Sequence, residues 1–210
     1  MKSVLISIQP YWVFLIIAKT MGWNIDKVKT IEVRKNYPKD ESWDKTAIIY
    51  CSKDKKSFNR IPKEYQPLMA KFLGKVVGKW FCDKVYDIIP CFVSKFLTQY
   101  ICGWEHGEEF DCLSFSEMNS YLKEDNGYGW HISDLVIYDK PKELSEFMTV
   151  DLQAVRKCEN REQSYFDGYC NNGGYLKNGF YCKEKEDWCD KCKGKPITRP
   201  PQSWCYVEGE

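Results

Sequence analysis

The stretch 153–195 sets the limit on what this chain can become. Among its 43 residues only Val155 and Leu176 are branched aliphatics, while five are cysteine and five are glycine. A segment so poor in branched apolar side chains cannot hold itself by burial, so a covalent or coordinate staple is needed. Its aromatics, among them Tyr165, Phe166, Tyr169 and Trp188, can cover such a staple but not replace it. Cys189-Asp-Lys-Cys192 has the two-residue gap that lets both thiolates grip one zinc, and Cys170-Asn-Asn-Gly-Gly supplies a knuckle-like turn. A site made of thiolates alone needs four of them. Cys170, Cys182, Cys189 and Cys192 are the first choice for a structural zinc, with Cys158 as substitute; metal-free thiols and disulfides are the competing readings. The expected organisation is a main unit at 1–152, a cysteine-rich, zinc-stapled insertion at 153–195 and a closing strand at 196–210.

The rest of the chain has core to spare. With 43% hydrophobic, 16% aromatic and 29% charged residues over 210 positions, a disordered, collagen-like or coiled-coil chain is excluded. Lys plus Arg number 31 and Asp plus Glu 30, a net charge of +1, so any contact with nucleic acid must come from a local patch. Residues 4–18 are apolar behind Lys2, which invites a signal-peptide reading. Against it, Gln9-Pro10 splits the stretch, no small-x-small cleavage site follows, and the run is short for a bilayer. The better parse is a strand at 4–8 and a helix begun at Pro10, with Trp12, Val13, Ile16 and Ile17 on one core-facing side. Without a signal, the expectation is a cytoplasmic protein with no membrane partner. In reducing cytosol Cys51, Cys82, Cys91, Cys102, Cys112 and Cys205 read as buried or simple thiols.

β-rich runs occur at 30–34, 46–51, 76–85 and 131–138. A helix is expected at 115–122, capped by Ser114 or Ser116 and stopped by Asp125-Asn126-Gly127, with a further helical turn at 141–147. A last strand at 203–207 follows Pro200-Pro201 and can close the sheet on itself. Few, short and uneven runs of this kind point to an α+β fold, a small mixed β-barrel with flanking helices, and not to a parallel α/β sheet or a repeat array.

In Lys29-Thr-Ile-Glu-Val-Arg34 the alternation sends Ile31 and Val33 one way and Thr30, Glu32 and Arg34 the other. Glu32 and Arg34 on one face can accept from and donate to a base or nucleoside, with Lys29 as a mobile cation at the start of the strand. A solvated face bearing a weak charge pair is the competing reading. The order strand, Pro-started helix, then Lys29-x-x-Glu32-x-Arg34 resembles the ASCH family, whose hallmark is Gly-x-Lys-x-x-Glu-x-Arg. Here Lys27 stands at the glycine position and residues 21–26 lengthen the preceding loop. Ser7-Ile-Gln-Pro10, Gly129-Trp-His-Ile-Ser-Asp-Leu135 and Pro201-Gln-Ser-Trp-Cys-Tyr-Val-Glu208 are similar to a phage and prophage branch of that family.

The resemblance implies a PUA-like barrel with a cleft beside it that binds RNA or a nucleotide through Lys29, Glu32 and Arg34. It also implies a second possibility, since some ASCH proteins are nucleases, or amidohydrolases that remove an acyl group from a modified cytidine. In the amidohydrolases the hallmark lysine works with a threonine where this chain has Glu32, so the hydroxyl nucleophile is missing here. Lys29 and Glu32 remain as an acid/base pair on water, with Thr30 as a substitute hydroxyl.

His131 alternates away from Trp130 and Ile132, and reads either as an acid, base or stacking group in the cleft or as a histidine held by a backbone carbonyl. His106 with Glu105, Glu108 and Glu109 lacks a regular ligand spacing. Lys53, Lys55, Lys56, Arg60 and Lys63, beside Phe58 and Tyr65, are suited to a phosphate backbone, or form a solvated loop. Gln202, Ser203 and Trp204 can reach the cleft from the closing strand. Three functions follow in order: an RNA- or nucleotide-binding domain; a hydrolase in which Lys29, Glu32 and His131 act on a modified nucleoside or RNA; and a phage-encoded module whose 91–112 stretch and cysteine-rich insertion engage a host protein.

Overall fold

The computed structural model of the chain describes residues 2–39, 43–94, 97–102, 112–149, 181–182, 187–188 and 195–208. The apolar start forms a strand and a helix, β1 (Lys2–Ile8) and α1 (Pro10–Ile17). The helix begins on the proline, whose ring presets φ and whose missing N–H is no loss in a first turn. Next come β2 (Ile31–Arg34), β3 (Trp43–Cys51), the single turns α2 (Lys55–Phe58) and α3 (Gln66–Met69), and β4 (Val76–Phe81). β5 (Val85–Ser94) and β6 (Leu97–Cys102) form a hairpin, followed by α4 (Phe115–Leu122), β7 (Gly127–His131) and β8 (Ser133–Lys142). β9 (Tyr181–Cys182), β10 (Asp187–Trp188) and β11 (Trp204–Glu208) complete the described elements.

The class is α+β. The strands are shared between sheets, and among the described residues no single hydrogen-bonded barrel closes. One sheet runs β11-β1-β3-β4-β8, the other β2-β7-β5-β6, and β9 pairs with β10. β1 and β3 are parallel; the other pairs are antiparallel. The chain crosses between the two main sheets four times: from β1 to β2, from β2 back to β3, over residues 82–84, and at Ile132.

The central strands carry core on both faces, and their period of two divides it. Val4, Ile6 and Ile8 of β1 with Ala47, Ile49 and Cys51 of β3 pack toward α1 and Trp80. The alternate residues Leu5, Ile48 and Tyr50 pack on the other side against Leu144, Phe147, Ile197 and Val207. Val33, Ile88, Met118 and Leu122 form a third cluster where α4 covers the second sheet.

Several boundaries differ from those read in the sequence. α1 buries Pro10 and every residue of 13–17, so it is enclosed on nearly all sides instead of on one face, and Tyr11 and Trp12 are its partly buried exceptions. The run 76–85 breaks at 82–84 because the chain leaves one sheet for the other there. The run 131–138 belongs to β7 and β8, which meet at Ile132. The helical turn placed at 141–147 is a 3-10 turn at Leu144–Glu146, because β8 continues to Lys142.

The ends of the cysteine-rich region are fixed to each other. Thr149 N–H donates to the Lys195 carbonyl at 2.9 Å, and Lys195 N–H donates to the Thr149 hydroxyl at 3.1 Å. Met148 and Pro196 form an antiparallel bridge beside them. Cys158, Cys170, Cys189 and Cys192 lie outside the described residues, as do Glu105, His106, Glu108 and Glu109; the backbone of Cys182 pairs with Asp187.

Candidate functional site

The charged face of β2 is buried. Lys29 is 2%, Glu32 5% and Arg34 7% exposed, which removes the reading of a solvated strand face. Lys29 is placed by its backbone N–H, which donates to the Leu15 carbonyl near the end of α1 at 3.1 Å. Its Nζ lies 3.6 Å from Glu32 Oε2, and Arg34 Nη2 lies 2.9 Å from Glu32 Oε1, so one carboxylate divides its oxygens between two cations. Arg34 Nη2 also donates to the Ser7 carbonyl at 2.7 Å, while its Nε has no hydrogen-bond partner among the described residues. Burying three charges costs more than their mutual attraction readily returns, and the cluster carries an excess positive charge.

These groups form the floor of a cavity of about 810 Å3. One wall comes from Gln9 and Trp12 of the first strand-to-helix turn, a second from Asp54, Lys56, Ser57 and Arg60, and a third from Ser116, Glu117, Ser120 and Tyr121 of α4. Gln202 and Ser52 also line it. The walls are locked together by short polar contacts. The Asp54 carboxylate accepts from Ser57 N–H at 2.5 Å and caps α2, and the Ser57 hydroxyl accepts from Tyr11 N–H at 3.0 Å. That last bond satisfies an amide in the first turn of α1, which has no partner within its own helix. Gly127 allows β7 to start close under α4, since a Cβ there would come within 2.7 Å of Leu122 Cδ2.

Arg60 spans the mouth. Its guanidinium lies 4.0 Å from the Tyr11 ring centroid and 4.8 Å from that of Trp12, and Nη2 is 2.9 Å from Glu117 Oε1. Lys29 Nζ approaches the Trp12 ring at 5.3 Å, so this indole meets cations from the floor and from the mouth. Glu117 is oriented by a capping box with Ser114 at the start of α4. Burial works to raise the Glu117 carboxyl, but the hydrogen bonds from Ser114 and the nearby Arg60 outweigh it and hold it below its ordinary value. Burial raises the Tyr121 phenol, opposed by the positive charge of Arg34, so its hydroxyl stays protonated at neutral pH.

Of the residues singled out in the sequence, the structure brings Lys29, Glu32, Arg34, Lys56, Arg60 and Gln202 to the cavity wall. Thr30, Lys53, Lys55, His131, Ser203 and Trp204 are not among the residues lining it. Thr30 gives its carbonyl to Ile132 N–H, and Lys53 lies across Gly74. The Ser203 carbonyl accepts from Ser7 N–H, and Trp204 packs against Trp130 and Tyr206 with its indole N–H on Asn36 Oδ1 at 2.8 Å. His131 Nδ1 is 2.6 Å from Asp83 Oδ1 at the crossing between the sheets. Trp12, Tyr121, Glu117, Ser52 and Ser57 were not legible as site residues. The one available signal was Tyr11-Trp12, two amphipathic aromatics at the head of an otherwise aliphatic helix.

Among the described residues no three metal-ligating side chains converge, and no helix is long and apolar enough to cross a membrane. No family model and no curated protein matches the chain. Among solved structures, it is similar at 14% identity to an ASCH protein from Zymomonas mobilis, with a TM-score of 0.42, covering 78% of this chain and 83% of that one. Two variants of that Zymomonas protein, one Tyr-to-Phe and one Ser-to-Ala, align at 15% and 16% identity with a TM-score of 0.40 each, covering 79% and 78% of this chain and 87% and 84% of theirs.

Proposed function

We propose that the cavity binds RNA or a nucleotide, seating an anionic group against Arg34 and a base against Trp12. The observation that carries this reading is the buried Lys29-Glu32-Arg34 cluster, which has an excess positive charge and an unsatisfied Arg34 Nε at the floor of a cavity. An anionic group seated against the cluster offsets its surplus positive charge. The Trp12 indole lines the same cavity and is of the kind on which bases stack, a base there taking the place of a cation now against the ring. The Lys29-x-x-Glu32-x-Arg34 resemblance to the ASCH hallmark supports the same assignment.

The test is titration of the full chain with single-stranded RNA and with nucleoside monophosphates, alongside Arg34→Ala and Trp12→Ala. Binding that weakens at least tenfold in both variants supports the assignment, and unchanged binding in both overturns it. Incubating each probe with the parent and with Lys29→Ala separates binding from hydrolysis. Turnover in the parent that Lys29→Ala loses while still binding would make this cleft an enzyme's.

The reading keeps a structural zinc in the cysteine-rich segment, supported by the Cys189-x-x-Cys192 spacing and by the scarcity of aliphatics there. About one zinc per chain is expected by elemental analysis after purification under reducing conditions. A folded, metal-free protein is the contrary result.

A further inference from the structure

Resting on the nucleotide-binding reading, we infer that the cavity selects a singly charged phosphodiester, the linkage inside a strand, over a phosphate monoester or polyphosphate, and that Glu117 sets this preference.

The lining carries four cations, Lys29, Arg34, Lys56 and Arg60, against three carboxylates, Glu32, Asp54 and Glu117, a surplus of one positive charge. The carboxylates are spread through the cavity, not gathered at one end. Glu32 lies between the two floor cations, Asp54 caps α2, and Glu117 holds Arg60 at the mouth. One negative charge on the ligand balances the site. A second must be accommodated against carboxylates in a cleft where the effective dielectric is well below that of water, so it is opposed.

Glu117 is the carboxylate that can be changed without dismantling the floor. It is about one-third exposed, it neutralises the Arg60 guanidinium, and glutamine can keep the capping box with Ser114. Glu117→Gln raises the surplus to two and releases Arg60 from its ion pair.

The experiment is calorimetric titration of the full chain and of Glu117→Gln with a nucleoside 5′-monophosphate, its methyl ester and the corresponding triphosphate. Ester and monophosphate share base and sugar and differ by one methyl and by a charge of roughly one at neutral pH. The parent is expected to bind the ester about tenfold more tightly than the monophosphate, with the triphosphate weakest, and Glu117→Gln to narrow the first gap by about tenfold, or 1.4 kcal/mol. Each readout is a ratio within one protein, so a smaller folded fraction in the variant cancels. If the parent binds the monophosphate or triphosphate as tightly as the ester, or the ratio is unmoved in Glu117→Gln, the charge preference is overturned while nucleotide binding stands. If neither these probes nor single-stranded RNA bind, both fall.

Discussion

Arg34 Nη2 donates to the Ser7 carbonyl at 2.7 Å, so a guanidinium on β2 of one sheet is tied to β1 of the other. The same nitrogen contacts Glu32 at 2.9 Å. A group at the wall of the cavity thus also sets the spacing of two sheets. Arg34→Lys keeps the charge, but its ammonium ends one bond short of the Nη2 position that meets both partners. Loss of a hydrogen bond to a charged group costs about 1.5–3 kcal/mol, so a fall of that size is expected in urea unfolding. Unchanged stability in Arg34→Lys would show that the bond to Ser7 does not join the sheets.

Glu32 lies between two buried cations, and its removal takes away the carboxylate that Lys29 and Arg34 share. Breaking a buried charge cluster by removing one partner costs about 3–5 kcal/mol. Glu32→Ala is expected to lose stability of that order in denaturant titration, and to regain part of it with added sulfate. A loss below about 1 kcal/mol would mean that water already screens the cluster.

Glu117 gives a pH dependence of known sign. Its folded-state carboxyl titrates below its ordinary value of 4.5, so the unfolded chain binds the proton more readily. Its stabilising contribution is complete above that ordinary value and is lost as pH falls through the lower folded one. Melting temperatures of the parent and Glu117→Gln are therefore expected to converge as pH is lowered through that window. A gap that stays constant or widens in acid would contradict the assignment.

The thiols of Cys51 and Cys82 are inert at neutral pH. Burial pushes each up to about 12, and Cys205 to about 11. Since the thiolate is the reactive form, alkylation at pH 8 followed by peptide mass spectrometry should leave Cys51 and Cys82 unmodified until the chain is unfolded. Rapid labelling of either in the folded protein would place it outside the core.

Gly78 lets β4 and β8 approach, because a Cβ there would collide with the Val136 carbonyl oxygen, a backbone atom that no side-chain rotation can move. Gly78→Ala is expected to lower the melting temperature by several degrees through the shift it forces on that edge strand. An unaltered melting temperature would indicate that β8 is not held at this register.

Sequence signals served best where one local cause decides the structure. Pro10 starts α1, and the Ser114 to Glu117 capping box starts α4 at the expected residue. The alternation at Glu32 and Arg34 placed both on one face, where they meet. What could not be read depended on long-range pairing. The crossings at 82–84 and Ile132 carry no local turn signature; they follow from which sheet each flanking strand joins. Trp12 looked like core because helical spacing reports that a side faces inward, not that a cavity lies beneath it. Glu117 joined the site only because α4 packs across from Arg60, 57 positions earlier in the chain.

The mutual hydrogen bonds of Thr149 and Lys195 give the region between them a property of its own. Positions 149 and 195 meet at one point, so their separation is fixed by this pair and not by the number of residues between them. β8 keeps β4 as its partner and β11 keeps β1 on either side of this junction. As long as that pair holds, it ties the chain after β8 to the chain leading into β11 beside the cavity-bearing sheets.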